Sequence, residues 1–63
     1  LSDRELLIVQ HIGLSKNNKE IANELQISVK TIESHRSRIK AKLRLSSPSE
    51  LVRYAMQLQN TVF

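Results

Sequence analysis

Between Ser28 and Arg44 the sequence places Lys30, Arg36, Arg38, Lys40, Lys42 and Arg44 against a single acid, Glu33, so six positive charges meet one negative and the stretch carries +5. The remainder holds Arg4, Lys16, Lys19 and Arg53 against Asp3, Glu5, Glu20, Glu24 and Glu50, a balance of −1. Cations gathered in this way bind polyanions, and phosphate contact is the chemistry they suggest. A merely solvated basic helix face is the plain alternative. In the same stretch Ser34 and His35 stand side by side, the residue types of a nucleophile and its base. Neighbours on a helix point about 100° apart, and no acid orients the pair, which argues against a catalytic unit and against an enzyme. There is no cysteine and there are only two histidines, so thiolate and disulfide chemistry are excluded and a metal cage lacks ligands. No cofactor is expected.

The elements that must position these residues are bounded by size. At 63 residues the chain is one domain, and a chain of this length buries only about 60% of the surface its unfolded form exposes. There is little room for an enclosed pocket, and packing alone must fold it. No apolar run approaches the ~18 residues of a membrane span, and the start lacks a basic and an apolar signal region. This predicts neither export nor membrane insertion, hence a cytoplasmic protein. Leu1 in place of Met, followed at once by a helix start, predicts a piece cut at a domain boundary.

One Gly, one Pro and recurrent three-and-four spacings of Ile, Leu and Val predict an all-α fold of four helices. Ser2 and Glu5 form a capping box for a first helix over about Asp3 to Leu14, with Ile8, Val9 and Ile12 on its inner face. His11 falls with Leu7 and Leu14 on the outer side. Asn17 and Glu20 repeat the box before a short second helix carrying Ile21, Ala22 and Leu25. Ser28 caps a third, to about Arg44, whose seam is Ile32, Ile39 and Leu43. Ser47, Pro48 and Glu50 supply N-cap, first-turn proline and third-position glutamate for a fourth, about Pro48 to Gln59, with Leu51, Ala55 and Leu58 inward.

On the third helix Ile39 and Leu43 fall within about 20° of Ile32, while Lys30, Ser34, Ser37 and Ala41 lie opposite. Short polar side chains flanked by long cations suit a helix that approaches base edges between two phosphate walls. The stretch from Asn18 to Ser37 fits a helix-turn-helix, with Ile21, Leu25, Ile27 and Ile32 as its clamp and Ala22 at the close crossing. Gln26 occupies the turn position that tends to positive φ and is often Gly, a strain of about 1 kcal/mol. Lys30, Thr31, Arg38 and Lys42 are phosphate candidates, Thr31 also lying near the positive end of the helix. Arg36 packs its stem and sends its head to solvent or phosphate. His35, on the edge of the seam, is expected to be packed and locally hydrogen-bonded, with phosphate contact as the alternative. Asn18 and Lys19 begin the helix that would cross the DNA backbone.

Leu1-Ser2-Asp3-Arg4-Glu5, Asn18-Lys19-Glu20-Ile21-Ala22, Ser28-Val29-Lys30-Thr31-Ile32-Glu33-Ser34-His35-Arg36 and Lys42-Leu43 resemble the LuxR/FixJ (GerE-like) DNA-binding domain, in order and with spacing intact over nearly the whole chain. The resemblance implies a four-helix domain over residues 1–63, usually the C-terminal part of a bacterial transcription regulator such as a response regulator of a two-component system. Its third helix would read the major groove and its fourth would mediate dimerisation. Glu33, Ser34 and Ser37 match the positions that the family uses for base contact. Serine is promiscuous in hydrogen bonding and glutamate accepts from cytosine N4, so a weakly specified site is expected. The partners implied are double-stranded DNA and a second copy of the chain, with RNA polymerase left open and the nucleoid as the place of action.

The family commonly has Gly at Ser15 and an apolar residue at Lys16, which predicts a shifted or frayed end to the first helix. Leu6, Leu7 and Leu14 stand where it more often has polar residues; they contact a further regulatory domain or are isolated surface residues. With Leu51, Ala55 and Leu58 inward, Pro48, Val52 and Met56 form a second apolar stripe on the fourth helix. It suits a small two-fold contact, weak without DNA, although these residues also suit the edge of the core. Two competing functions are a sigma-factor region 4 domain, which would end soon after the recognition helix, and a basic helical protein-interaction module.

Overall fold

The computed structural model describes residues 1–61, with side chains through Gln59. Four helices follow one another: α1 (Asp3–Gly13), α2 (Asn18–Leu25), α3 (Val29–Leu43) and α4 (Pro48–Thr61). No strand occurs among the described residues, and none of the helices there is long and apolar enough to cross a membrane. The expected starts hold, and the ends differ by one residue at α1 and α3 and by two at α4.

Both predicted capping boxes form. The Glu5 N–H donates to Ser2 Oγ at 3.2 Å and the Ser2 N–H to the Glu5 carboxylate at 2.9 Å. At α2 the Glu20 N–H donates to Asn17 Oδ1 at 2.8 Å and the Asn17 N–H to Glu20 at 2.9 Å. Each box satisfies two of the N–H groups that a helix start leaves free. Ser28 accepts from the Thr31 N–H at 3.0 Å, and Ser47 from the Glu50 N–H at 3.3 Å.

The helices close around Ile8, Val9 and Ile12 of α1, Ile21 and Ala22 of α2, Ile32 and Ile39 of α3, and Leu51 and Ala55 of α4. Each of the large side chains is fully enclosed, worth about 1.5–3 kcal/mol. Leu25, Ile27, Leu43, Leu45, Tyr54 and Leu58 lean on this cluster from its rim. α1 touches all three other helices, most extensively α4. That contact is close enough to require a glycine: a Cβ on Gly13 would lie 2.7 Å from the Ala55 carbonyl oxygen.

All three connections turn through a left-handed residue that is not glycine: Ser15 (φ 67°), Gln26 (φ 56°) and Arg44 (φ 57°). Gln26 behaves as its place in the turn predicts, and the Ile27 N–H then donates to the Ala22 carbonyl at 3.0 Å. The expected fraying after α1 is not found. Leu14 and Ser15 close the helix with N–H bonds to the carbonyls of Gln10, His11 and Ile12. Lys16, in place of an apolar residue, reaches the Glu24 carboxylate at 2.7 Å and His11 Nδ1 at 3.2 Å. His11 is therefore not on the outer side. It is half-buried against α2, 3.6 Å from Glu24, because the left-handed turn at Ser15 folds Lys16 back under α1. Lys16 first, and His11 to a lesser degree, draw the Glu24 carboxyl below its ordinary value against the opposing effect of burial.

Glu5 is the buried acid of the core cluster, 3% exposed. Lys42, at the far end of α3, donates to it at 2.7 Å. That bond first, and the Ser2 N–H second, hold its carboxyl at about 2, below the ordinary 4.5.

Two outcomes are expected. Gly13→Ala forces α1 and α4 apart and should cost about 1–3 kcal/mol in urea denaturation; an unchanged midpoint would mean that α4 shifts freely. The folded Glu5 carboxyl binds its proton less tightly than the unfolded one, so the stability it contributes is complete above pH 4.5 and lost as pH falls toward about 2. Glu5→Gln should melt lower at neutral pH and show a flatter decline across that window by circular dichroism. Parallel curves for the two proteins would exclude the pair as a source of acid sensitivity.

Candidate nucleic-acid interface

α3 is laid on the core along Ile32 and Ile39, with Leu43 half-buried. Its opposite face is the expected one: Lys30, Ser34, Ser37 and Ala41 are all exposed. Glu33 and Arg38 flank them in solvent, while Thr31, His35, Arg36 and Lys40 are half-buried. Among the described residues the side chains of Glu33, Ser34 and Ser37 make no intramolecular hydrogen bond, so their polar atoms remain available to a partner.

The cations divide into two groups. Lys16 and Lys42 are held by Glu24 and Glu5. Arg4, Lys19, Lys30, Arg36, Arg38, Lys40, Arg44 and Arg53 form no ion pair among the described residues. Five of these eight lie on α3 or at its cap, where like charges sit close together with Glu33 as the single carboxylate of the helix. Burial moves the Arg36 guanidinium below the ordinary arginine value, and the group nonetheless stays charged.

Asn18, Lys19 and Arg36 line one open hollow between the start of α2 and α3, together with Glu33, Val29 and, from α4, Val52. Lys30, Thr31 and Arg38 lie outside it. The Thr31 hydroxyl is 2.8 Å from that of Ser28, so one of the two donates to the other and only one hydroxyl proton is left for a ligand. Lys42 is the expected phosphate candidate most altered by the fold. Its ammonium neutralises Glu5, although its side chain remains 52% exposed.

His35 packs as expected but lacks the local hydrogen bond: its Nδ1 is enclosed with no partner. Leu6, Leu7 and Leu14 are exposed on α1. Pro48, Val52 and Met56 are exposed along α4, Val52 at 36% and Met56 at 46%.

Four residues were not given their part in this arrangement by the sequence. Glu5 continues the inner spacing of Ile8, Val9 and Ile12, at three, four and seven residues, and that periodicity marks it as buried. Lys40 and Arg44 belong to the same unpaired charge and were legible from it. Val29, exposed at the start of α3, carried no signal beyond being apolar.

The model of the bacterial regulatory proteins of the luxR family matches residues 1–55. The oxygen regulatory protein NreC of Staphylococcus carnosus (strain TM300) is 51% identical over 57 residues, which are 90% of this chain and 26% of that protein. The protein of the same name from Staphylococcus aureus (strain JH9) shows the same identity and coverage. The chain therefore spans 26% of the length of these relatives. No solved structure matches it significantly.

Proposed function

The chain belongs to the luxR family of bacterial regulatory proteins, whose helix-turn-helix domains bind DNA in transcription regulation, and from that premise we propose how it does so. The four helices of residues 1–63 form the DNA-binding part of a longer regulator, of the response-regulator kind. α3 enters the major groove with Glu33, Ser34 and Ser37 toward the base edges. Lys30, Thr31, Arg36 and Arg38 meet the flanking phosphates, as do Asn18 and Lys19 from the start of α2. The protein works in the cytoplasm, on the nucleoid. The observation that carries this reading is the unpaired positive charge of α3 around a face of short, unbonded polar side chains. A fold that neutralises Lys16 and Lys42 internally and leaves Lys30, Arg36, Arg38, Lys40 and Arg44 without an ion pair offers these five to an external polyanion.

The test separates charge from readout. Each phosphate neutralised contributes about −0.9 to the slope of log affinity against log salt. Lys30→Ala or Arg38→Ala should weaken binding alike on all duplexes and flatten that slope by about one unit. Ser34→Ala, Ser37→Ala and Glu33→Ala should instead shift the preferred site by about 1–3 kcal/mol at one or two positions in selection on randomised duplexes. An unchanged slope removes the two cations from the interface, and one common preferred site removes the three readers. Binding to random duplex that ignores salt would favour the protein-interaction module.

Pairing of two copies is the second part of the proposal. Pro48, Val52 and Met56 offer an isologous strip, well below the ~800 Å² per partner of a stable interface, so copies pair where DNA holds two together. Half-sites should lie about 10 bp apart. Val52→Glu should keep the helical circular-dichroism spectrum and lose cooperative occupancy of a duplex with two half-sites. Retained cooperativity in a folded variant would place the contact elsewhere.

A further inference from the structure

Val29 is the first residue of α3 and is 38% exposed. Among the described residues of α2, α3 and the turn between them it is the one large apolar side chain left in solvent. A β-branched residue adds little to helix formation, the cap is already made by Ser28, and the clamp between α2 and α3 is filled by Ile21, Ala22 and Ile32. Lys19 lies beside it in both hollows that it lines; Glu33 and Arg36 share one with Ile12 and Val52, and Asn23 shares the other with Ala22 and Ile27. Val29, Glu33 and Arg36 are four and seven residues apart and so share one strip of the helix.

We infer that Val29 is a specificity-determining residue that reads the C5-methyl group of a thymine. This rests on α3 lying in the major groove, where the first residues of a recognition helix meet base edges. The thymine methyl is the apolar group that the major groove displays. A valine at the leading end of α3, one turn before Glu33, presents two methyl groups to it on the strip that it shares with Glu33. The contact distinguishes thymine from cytosine by shape and burial, which neither serine does. It adds one well-specified base to a site otherwise read by adaptable hydroxyls.

The experiment begins with the site selected by the unaltered chain from randomised duplexes. Each thymine in it is replaced in turn by deoxyuracil, which removes only the methyl, and 5-methylcytosine is placed at any position that responds. The unaltered chain should lose about fourfold in affinity at one thymine, the worth of a methyl group returned to water, and 5-methylcytosine should be favoured there over cytosine. Val29→Ala, folded by circular dichroism, should bind thymine and deoxyuracil equally at that position with its salt slope unchanged. If Val29→Ala keeps the discrimination, or the unaltered chain ignores every methyl in a clearly preferred site, Val29 does not read thymine. If selection enriches no sequence at all, the major-groove reading fails, and this assignment with it.

Discussion

The bond from Lys42 to Glu5 ties together the two parts of the fold that matter most to one another. Glu5 serves three masters at once: it closes the cap of α1 through Ser2, it sits within the core cluster, and it receives the ammonium from the last turns of α3. A carboxylate so enclosed is tolerable only while its oxygens are occupied by donors. The first turn of α1 and the end of α3 are therefore fixed relative to each other, across 37 residues of sequence. α1 also carries α4 through the close approach at Gly13, while α3 is held by α1 on one side and by α2 on the other.

This arrangement divides the labour among the basic residues. Lys16 and Lys42 complete internal charge and hold helices in place, whereas Lys19, Lys30, Arg36, Arg38, Lys40 and Arg44 repel one another with no ion pair and with Glu33 as the single acid of α3 among them. In a domain of this size the repulsion is a real destabilising force. The isoleucine and leucine core must exceed it in free protein, and a polyanion relieves it on binding. The same charges thus weaken the free state slightly and strengthen the bound one.

What was legible in the sequence was whatever depends on local spacing. Ser2 with Glu5, Asn17 with Glu20, and Ser28 each announce a helix start by a three-residue interval, and the seam of Ile32 and Ile39 announces which face of α3 is hidden. The left-handed turn at Gln26 followed from its place between two helices. Long-range pairing was not legible, because nothing local joins Lys42 to Glu5. His11 was misplaced for a related reason: the spacing groups it with Leu7 and Leu14 on the outer side, and only the backbone reversal at Ser15 brings Lys16 and Glu24 to it. The partnerless Nδ1 of His35 likewise depends on packing that periodicity does not specify.

The three left-handed residues show how so short a chain holds its helices at fixed angles without glycine. Ser15, Gln26 and Arg44 each sit in one of the three connections, and each costs about 1–2 kcal/mol of backbone strain. Glycine would remove that strain but would also widen the unfolded ensemble, a loss of roughly 0.5–1 kcal/mol per site. The net cost of a side chain is therefore smaller than the strain alone, and part of it is offset by use. Ser15 leads into Lys16 and its ion pair with Glu24, and Arg44 adds its charge to the end of α3. At Gln26 the turn is instead secured by the Ile27 N–H on Ala22, which closes α2 against the start of α3. The angle between those two helices decides which side chains of α3 share the surface with Asn18 and Lys19, so the strain at Gln26 is spent on the geometry of the candidate interface itself.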